Sequence, residues 1–271
     1  MLENPRSPRV RAVAKLAKRS ARDETGLFLL EGPQAVSEAL RYRPEGIVDL
    51  YATPSAMERH PAVREAAEAN GVELTYATED VVAAMSDTVT PQGIVAVARQ
   101  FPTALKDVLA AGPRLLAICE EVRDPGNLGT IIRAADASGA DAVLLTGRTV
   151  DPFHPKVVRA TTGSLFHVAV SRAGELSDVV PAVTAAGLRV IAADVKGDDL
   201  LAARSEGMLS QPTAWLFGNE ARGLTDESLG LADTVLRLPI YGAAESLNLA
   251  TAASVCLYET AFSQRTVGPL A

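Results

Sequence analysis

Short apolar runs bounded by glycine, proline and polar residues alternate with amphipathic segments along nearly the whole chain. The alternation lapses once, across RQFPTALKDVLAAGP (99–113). Before that point LFLLEG (27–32), GIVDLYAT (46–53), GVELTYAT (71–78) and GIVAVAR, from Gly93, read as buried strands, with helical patterns over Pro33–Tyr42 and Pro54–Asn70. After it, strand-like runs recur at Leu115–Cys119, Asp141–Leu145, Phe166–Val170, Leu188–Ala193, Thr213–Phe217 and Thr234–Leu238, with helical patterns between most of them. Strands alternating with helices are the pattern of a mostly parallel sheet covered by helices, since each strand then has two faces to bury. A chain of 271 residues is long enough for two such cores. The expected organisation is an α/β fold in two domains, 1–98 and 114–271, joined by a linker at 99–113.

Net charge is −7, which by itself argues against a nucleic-acid partner. The charge is segregated, however. Residues 1–22 hold seven bases (Arg6, Arg9, Arg11, Lys15, Lys18, Arg19, Arg22) against Glu3, a local charge of +6 on a remainder of −13. A basic arm on an acidic body steers a polyanion locally or is simply a solvated tail. The two cysteines, Cys119 and Cys256, lie in apolar runs, as reduced and buried thiols of a cytoplasmic protein do. Three scattered histidines lack metal-ligand spacing, and the sequence offers neither a signal-peptide core nor an apolar stretch long enough to span a bilayer.

Three stretches carry chemistry. In EEVRDPGNLGTIIRAADASG (120–139), a strand runs into a glycine-bearing loop; Asn127 is placed as helix cap, Leu128, Ile131, Ile132 and Ala135 form one apolar stripe, Gly139 ends the helix, and Arg133 stands beside the stripe. Backbone N–H groups converge at such a turn and hold anions or cofactors. No two glycines in the chain are separated by a single residue, so the dinucleotide fingerprint is excluded, and a P-loop is absent. In WLFGNEARGL (215–224), a strand ends at Gly218, where backbone can approach a ligand, beside the carboxylate of Glu220. In LRLPIYGAAESLNLATAASVCLYE (236–259), Ser246 reads as the cap of a long helix with Asn248 in its first turn. Each stretch singly is compatible with ordinary turns and caps.

Taken as an ordered triple, Asn-x-Gly-x-x-x-Arg, then Phe-Gly-Asn-Glu-x-x-Gly-Leu, then Leu-Pro-Ile followed by Ser-Leu-Asn resemble the three motifs of the SpoU/TrmH family of RNA 2′-O-ribose methyltransferases, within the SPOUT superfamily. The resemblance spans about residues 114–262, and residues 27–98 resemble the small ribosomal-protein-like substrate-binding domain that precedes it in many members. Pro91-Gln92-Gly93 departs from the His-Gln-Gly found there in many relatives. The resemblance implies a deep trefoil knot in the C-terminal domain, a homodimer through that domain, and S-adenosyl-L-methionine bound near Gly218, Leu238, Ile240 and Leu247 without metal. It implies catalysis by Arg133 with Asn127, Glu220, Ser246 and Asn248, RNA contacts from Arg159 and from the arm residues Arg6, Arg9, Arg11, Lys15, Lys18 and Arg19, and ribosomal RNA as substrate, with tRNA methylation or a catalytically silent RNA-binding role as alternatives.

Overall fold

The computed structural model describes residues 1–265, so the end of the expected 114–271 domain lies outside the described residues. The chain forms two compact units, residues 1–101 with 151–167, and residues 102–150 with 168–271. The expected boundary was a single linker. Instead the chain passes between units three times, because 151–167 returns to the first unit.

The first unit is built on strands β1 (Leu27–Glu31), β2 (Ile47–Ala52), β3 (Leu74–Tyr76) and β4 (Ile94–Arg99), in the order β1-β4-β2-β3. β4 runs antiparallel to both neighbours and β2 parallel to β3. The basic arm is ordered: helices α1 (Pro8–Lys15) and α2 (Arg19–Thr25) precede β1, and Ser7 caps α1 by accepting from the Val10 N–H. α1 buries Val10 and Val13, with Leu16 just beyond it, against Leu29, Tyr51, Val95 and Val97 of the sheet and Val81, Val82 and Met85 of α6 (Glu79–Met85). Helix α3 (Pro33–Tyr42) meets β1 and β4 and packs on α5 (Pro61–Ala69). The single helix expected over Pro54–Asn70 is broken into α4 (Pro54–Arg59) and α5. Pro61 forces His60 out of the helical region, to φ −129° and ψ 58°.

The second unit contains α7 (Leu105–Ala110), β5 (Leu115–Glu120), α8 (Pro125–Ser138) and β6 (Ala142–Thr146). After the excursion that carries α9 (Pro155–Thr161) come β7 (Ala169–Gly174), α10 (Leu176–Ala185), β8 (Arg189–Asp199), α11 (Leu200–Ser205), β9 (Thr213–Phe217), α12 (Asp226–Leu231), β10 (Thr234–Arg237) and α13 (Leu249–Arg265). Every strand pairing is parallel, in the order β10-β8-β9-β5-β6-β7. Leu116, Ile118, Leu144, Val190 and Leu216 bury one face beneath α7 and α10. Long helix α13 packs on α8, β5 and β9, and its Thr260 hydroxyl accepts from the buried Trp215 indole at 2.8 Å. From β5 the chain moves outward through β6 to β7, then crosses to β8 and β9 on the other side. The strand order therefore reverses between β5 and β9, and in an open parallel sheet ligands bind at the carboxyl ends of the strands at such a reversal.

In the first unit the strand expected over 71–78 shrinks to β3, Leu74–Tyr76, and in the second unit two strands differ from the sequence reading. The segment expected at Phe166–Val170 starts as a turn of 3₁₀ helix at Ser164–Phe166, and β7 begins only at Ala169. β8 continues past Ala193 to Asp199, and its register against β10 jumps between Val235 and Leu236. At that jump Gly197 lies so close to β10 that a Cβ would stand 2.5 Å from the Val235 carbonyl carbon, so only glycine fits.

Candidate active site

The loops that leave β5 and β9 hold each other. After β9, residues 219–223 form a tight hairpin in which the N–H groups of Asn219 and Gly223 each donate to the other's carbonyl, at 3.1 and 2.8 Å. Gly218 permits that closure: a Cβ there would meet the Gly223 carbonyl carbon at 2.5 Å and the Leu224 nitrogen at 2.7 Å. Its small size thus serves the protein's own backbone. Asn219 stiffens the hairpin, its side-chain oxygen accepting from the N–H groups of Ala221 and Arg222, while its amide donates to the Glu121 carbonyl at 2.8 Å.

Glu220 then reaches across to the β5 loop. Its carboxylate accepts from the backbone N–H of Arg123 at 3.1 Å and of Asp124 at 2.9 Å, and from the Asn127 amide at 3.3 Å. Asn127 in turn accepts from the Asn248 amide at 3.0 Å. One chain of hydrogen bonds, Glu220 to Asn127 to Asn248, therefore joins the three sequence stretches. Burial alone would push the Glu220 carboxyl up; the N–H groups of Asp124, of Glu220 itself and of Arg123, with the Asn127 amide, outweigh it and hold the group below its usual range.

The caps differ from expectation by a few residues. Asp124, not Asn127, caps α8 by accepting from the Asn127 N–H at 2.9 Å, because Pro125 fits the first helical position and has no N–H to satisfy. That leaves the Asn127 side chain for the neighbouring loops. Similarly α13 starts at Leu249, and Asn248, not Ser246, caps it by accepting from the N–H groups of Ala250 and Thr251. Gly139 ends α8 in the left-handed region at φ 70°, as the sequence implies. Arg133 is two turns into α8 on the exposed stripe it shares with Thr130 and Ala137, and no hydrogen bond or ion pair engages it among the described residues.

Beside this network is a cavity of about 420 Å³, within the size range of small-molecule sites. Leu238, Ile240, Ser246 and Leu247 line it together with Asp194–Lys196, Glu220–Leu224 and Leu236; Gly218 does not. From Pro239 to Leu247 the chain makes no backbone–backbone hydrogen bond among the described residues, so its N–H and C=O groups are available to a ligand. Apolar leucines with unspent backbone donors suit a flat heteroaromatic ring and a ribose, which fits S-adenosyl-L-methionine. Ser246 lies at the exposed rim.

The expected RNA contacts divide. In the first unit Arg6, Arg11, Lys15 and Lys18 are exposed with no partner among the described residues. Arg19 pairs with Asp23 at 3.4 Å, one helical turn away. Arg9 is committed to Asp49 at 2.5 Å and to the Tyr51 hydroxyl at 2.6 Å, and Arg22 is buried against Asp151 at 2.7 Å. Arg159 pairs with two carboxylates, Glu31 at 2.9 Å and Asp87 at 3.0 Å, so a phosphate would have to share it with them. Sequence reasoning assigned no role to Asn219, whose place in the quoted Gly-Asn-Glu run was the available signal, or to Glu121, for which only its position after a strand hinted at one.

Residues 114–258 match the SpoU rRNA Methylase family and residues 7–96 the MRM3-like substrate binding domain. The chain is 36% identical over 263 residues to the 23S rRNA (guanosine(2553)-2′-O)-methyltransferase of Bacillus subtilis, covering 95% of this chain and 97% of that one. It superposes on an AdoMet-bound rRNA methyltransferase from Sinorhizobium meliloti with a TM-score of 0.83, at 33% identity and 98% coverage of both chains. On the SpoU methyltransferase AviRb from Streptomyces viridochromogenes, in complex with the cofactor AdoMet, the TM-score is 0.81 at 30% identity, covering 97% of this chain and 100% of the other. With its three motifs joined by hydrogen bonds at the carboxyl edge of a parallel sheet, the chain belongs to the SpoU rRNA methylase family.

Proposed function

We propose that this protein transfers a methyl group from S-adenosyl-L-methionine to a ribose 2′-hydroxyl of 23S ribosomal RNA. The observation that carries the reading is the Glu220–Asn127–Asn248 network, which fixes three separate loops around the cavity and beside the helix that presents Arg133. The cavity residues Leu238, Ile240 and Leu247 would hold the cofactor, which when bound supplies a methyl group already activated on a sulfonium. Gly218 contributes by keeping the 219–223 hairpin closed. Asn127, Glu220 and Asn248 are positioning residues, and Ser246 at the rim hydrogen-bonds cofactor or ribose.

Arg133 has a different task. A guanidinium stays protonated at neutral pH and does not act as a base. It stabilises the developing alkoxide and grips a neighbouring phosphate, tasks for which a free, exposed planar fork is suited. Purified protein, labelled cofactor and 23S rRNA test this in a single turnover. Arg133→Ala is expected to lower methyl transfer by at least about 100-fold with stability changed by less than about 1 kcal/mol, and Arg133→Lys to recover little. Full activity in the alanine variant would remove Arg133 from the chemistry.

Three further features belong to this reading. The return of the chain from β10 through 239–247 to α13, which packs on α8 and β5, supports a trefoil knot, a rare exception to unthreaded connections. Val255, Tyr258 and Phe262 form an exposed stripe on α13, and the Tyr258 hydroxyl donates to the Ala137 carbonyl at the end of the stripe that holds Arg133. That apolar face supports a homodimer whose interface adjoins the catalytic arginine. The first unit would bind the RNA substrate through the exposed bases of α1 and its flanks, and two buried, unpaired cysteines accord with a cytoplasmic setting.

A further inference from the structure

Glu121, the first residue after β5, has φ 55°, a left-handed conformation that costs a residue with a side chain and persists where surrounding contacts hold it. Its carbonyl accepts from the Asn219 amide at 2.8 Å, and its carboxylate from the Arg148 N–H at 3.0 Å. More telling is what the second carboxylate oxygen receives. The Nη2 atoms of Arg123 and Arg222, from two different loops, converge on that one oxygen at 2.6 and 3.1 Å. Arg123 and Arg222 have 49% and 65% side-chain exposure, and among the described residues the side chain of each makes no hydrogen bond other than the one to Glu121.

An exposed ion pair of this kind adds little stability. Its consequence is geometric: two guanidinium groups that would otherwise repel and wander are held side by side on one oxygen, and Arg222 lines the cavity. A carboxylate oxygen gripped by two guanidinium groups occupies the place of one phosphate oxygen, and the remaining donors face solvent in the fork arrangement that suits a second anion. We infer that Arg123 and Arg222 form a phosphate clamp for the RNA backbone next to the reacting ribose, with Glu121 as the positioning residue that assembles it. The inference rests on the methyltransferase reading and adds to it a specific pair of residues for substrate capture.

The test uses full-length protein, a 23S rRNA transcript, and S-adenosyl-L-methionine. Arg123→Ala and Arg222→Ala are each expected to raise the KM for RNA roughly 10-fold, the scale of losing a charge-assisted hydrogen bond, and to flatten the dependence of log affinity on log salt by about one unit per arginine. Cofactor affinity, measured separately by calorimetry, should stay within about twofold. Glu121→Ala should raise the RNA KM and flatten the salt dependence as the arginine variants do, and Glu121→Gln, which keeps an acceptor for the Arg148 N–H and the two guanidinium groups, should restore part of both losses. Tighter RNA binding in Glu121→Ala would show that the carboxylate masks the arginines and would overturn its positioning role. Unchanged KM and salt slope in both arginine variants, with wild-type protein methylating RNA, would overturn the clamp alone; a wild-type protein that transfers no methyl group would overturn the underlying reading instead.

Discussion

Single residues in this site act mainly by holding loops, and Glu220 shows how far that can be checked. Its carboxylate accepts two backbone N–H groups and one side-chain amide, and its pKa is depressed. A depressed pKa means that the ionised form binds the folded state more tightly than the unfolded one. The stabilisation is therefore complete above the unfolded value of about 4.3 and is lost as pH falls through the lower folded value. Wild-type protein should melt above Glu220→Gln at neutral pH, and the gap should close as the pH drops below about 4. No gap at neutral pH, or a gap that does not change with pH, would contradict the claim that the ionised carboxylate holds the loops. The sequence marked Glu220 as part of a motif but had no means to show that its partners are backbone groups some 96 positions away.

Among elements, those with clear periodic burial were legible and the joints between them were not. Pro33–Tyr42 folds as its pattern implies, and β9 occupies the expected Thr213–Phe217, since a continuous apolar run has both faces to bury. The starts of α8 and α13 shifted by a few residues because several capping side chains stand close together in each stretch; Pro125 was the local signal that favoured Asp124 for α8, whereas the role of the Asn127 side chain shows only in its partners Glu220 and Asn248. The arm looked like a basic tail because its charges outnumber Val10, Val13 and Leu16, yet those three apolar residues place it on the sheet. The glycine loop of β9 gives an element-scale prediction. Gly218→Val drives side-chain atoms into the Gly223 backbone, opens the hairpin and displaces Glu220, so cofactor binding should fall below detection by calorimetry while the far-ultraviolet circular dichroism of the folded sheet persists. Retained cofactor affinity would show that hairpin closure is not required for the pocket.

At the scale of the whole molecule, the proposed activity assigns a different task to each of the two units. The first carries exposed bases on an otherwise self-satisfied α/β layer, and the second presents the cavity, the motif network and the α13 stripe. If that stripe joins two copies beside Arg133, light scattering at micromolar concentration should give twice the 28.4 kDa chain mass, and Phe262→Glu should yield monomers with reduced methyl transfer. An active monomer would contradict the composite site. The most direct test of the central claim is to map 2′-O-methylated riboses in 23S rRNA from cells with and without the gene, then to restore the gene or its Arg133→Ala variant. The account predicts that one ribose methylation is lost with the gene, returns with the wild-type chain and stays absent with the variant. Identical ribose methylation in all four RNA samples would contradict it.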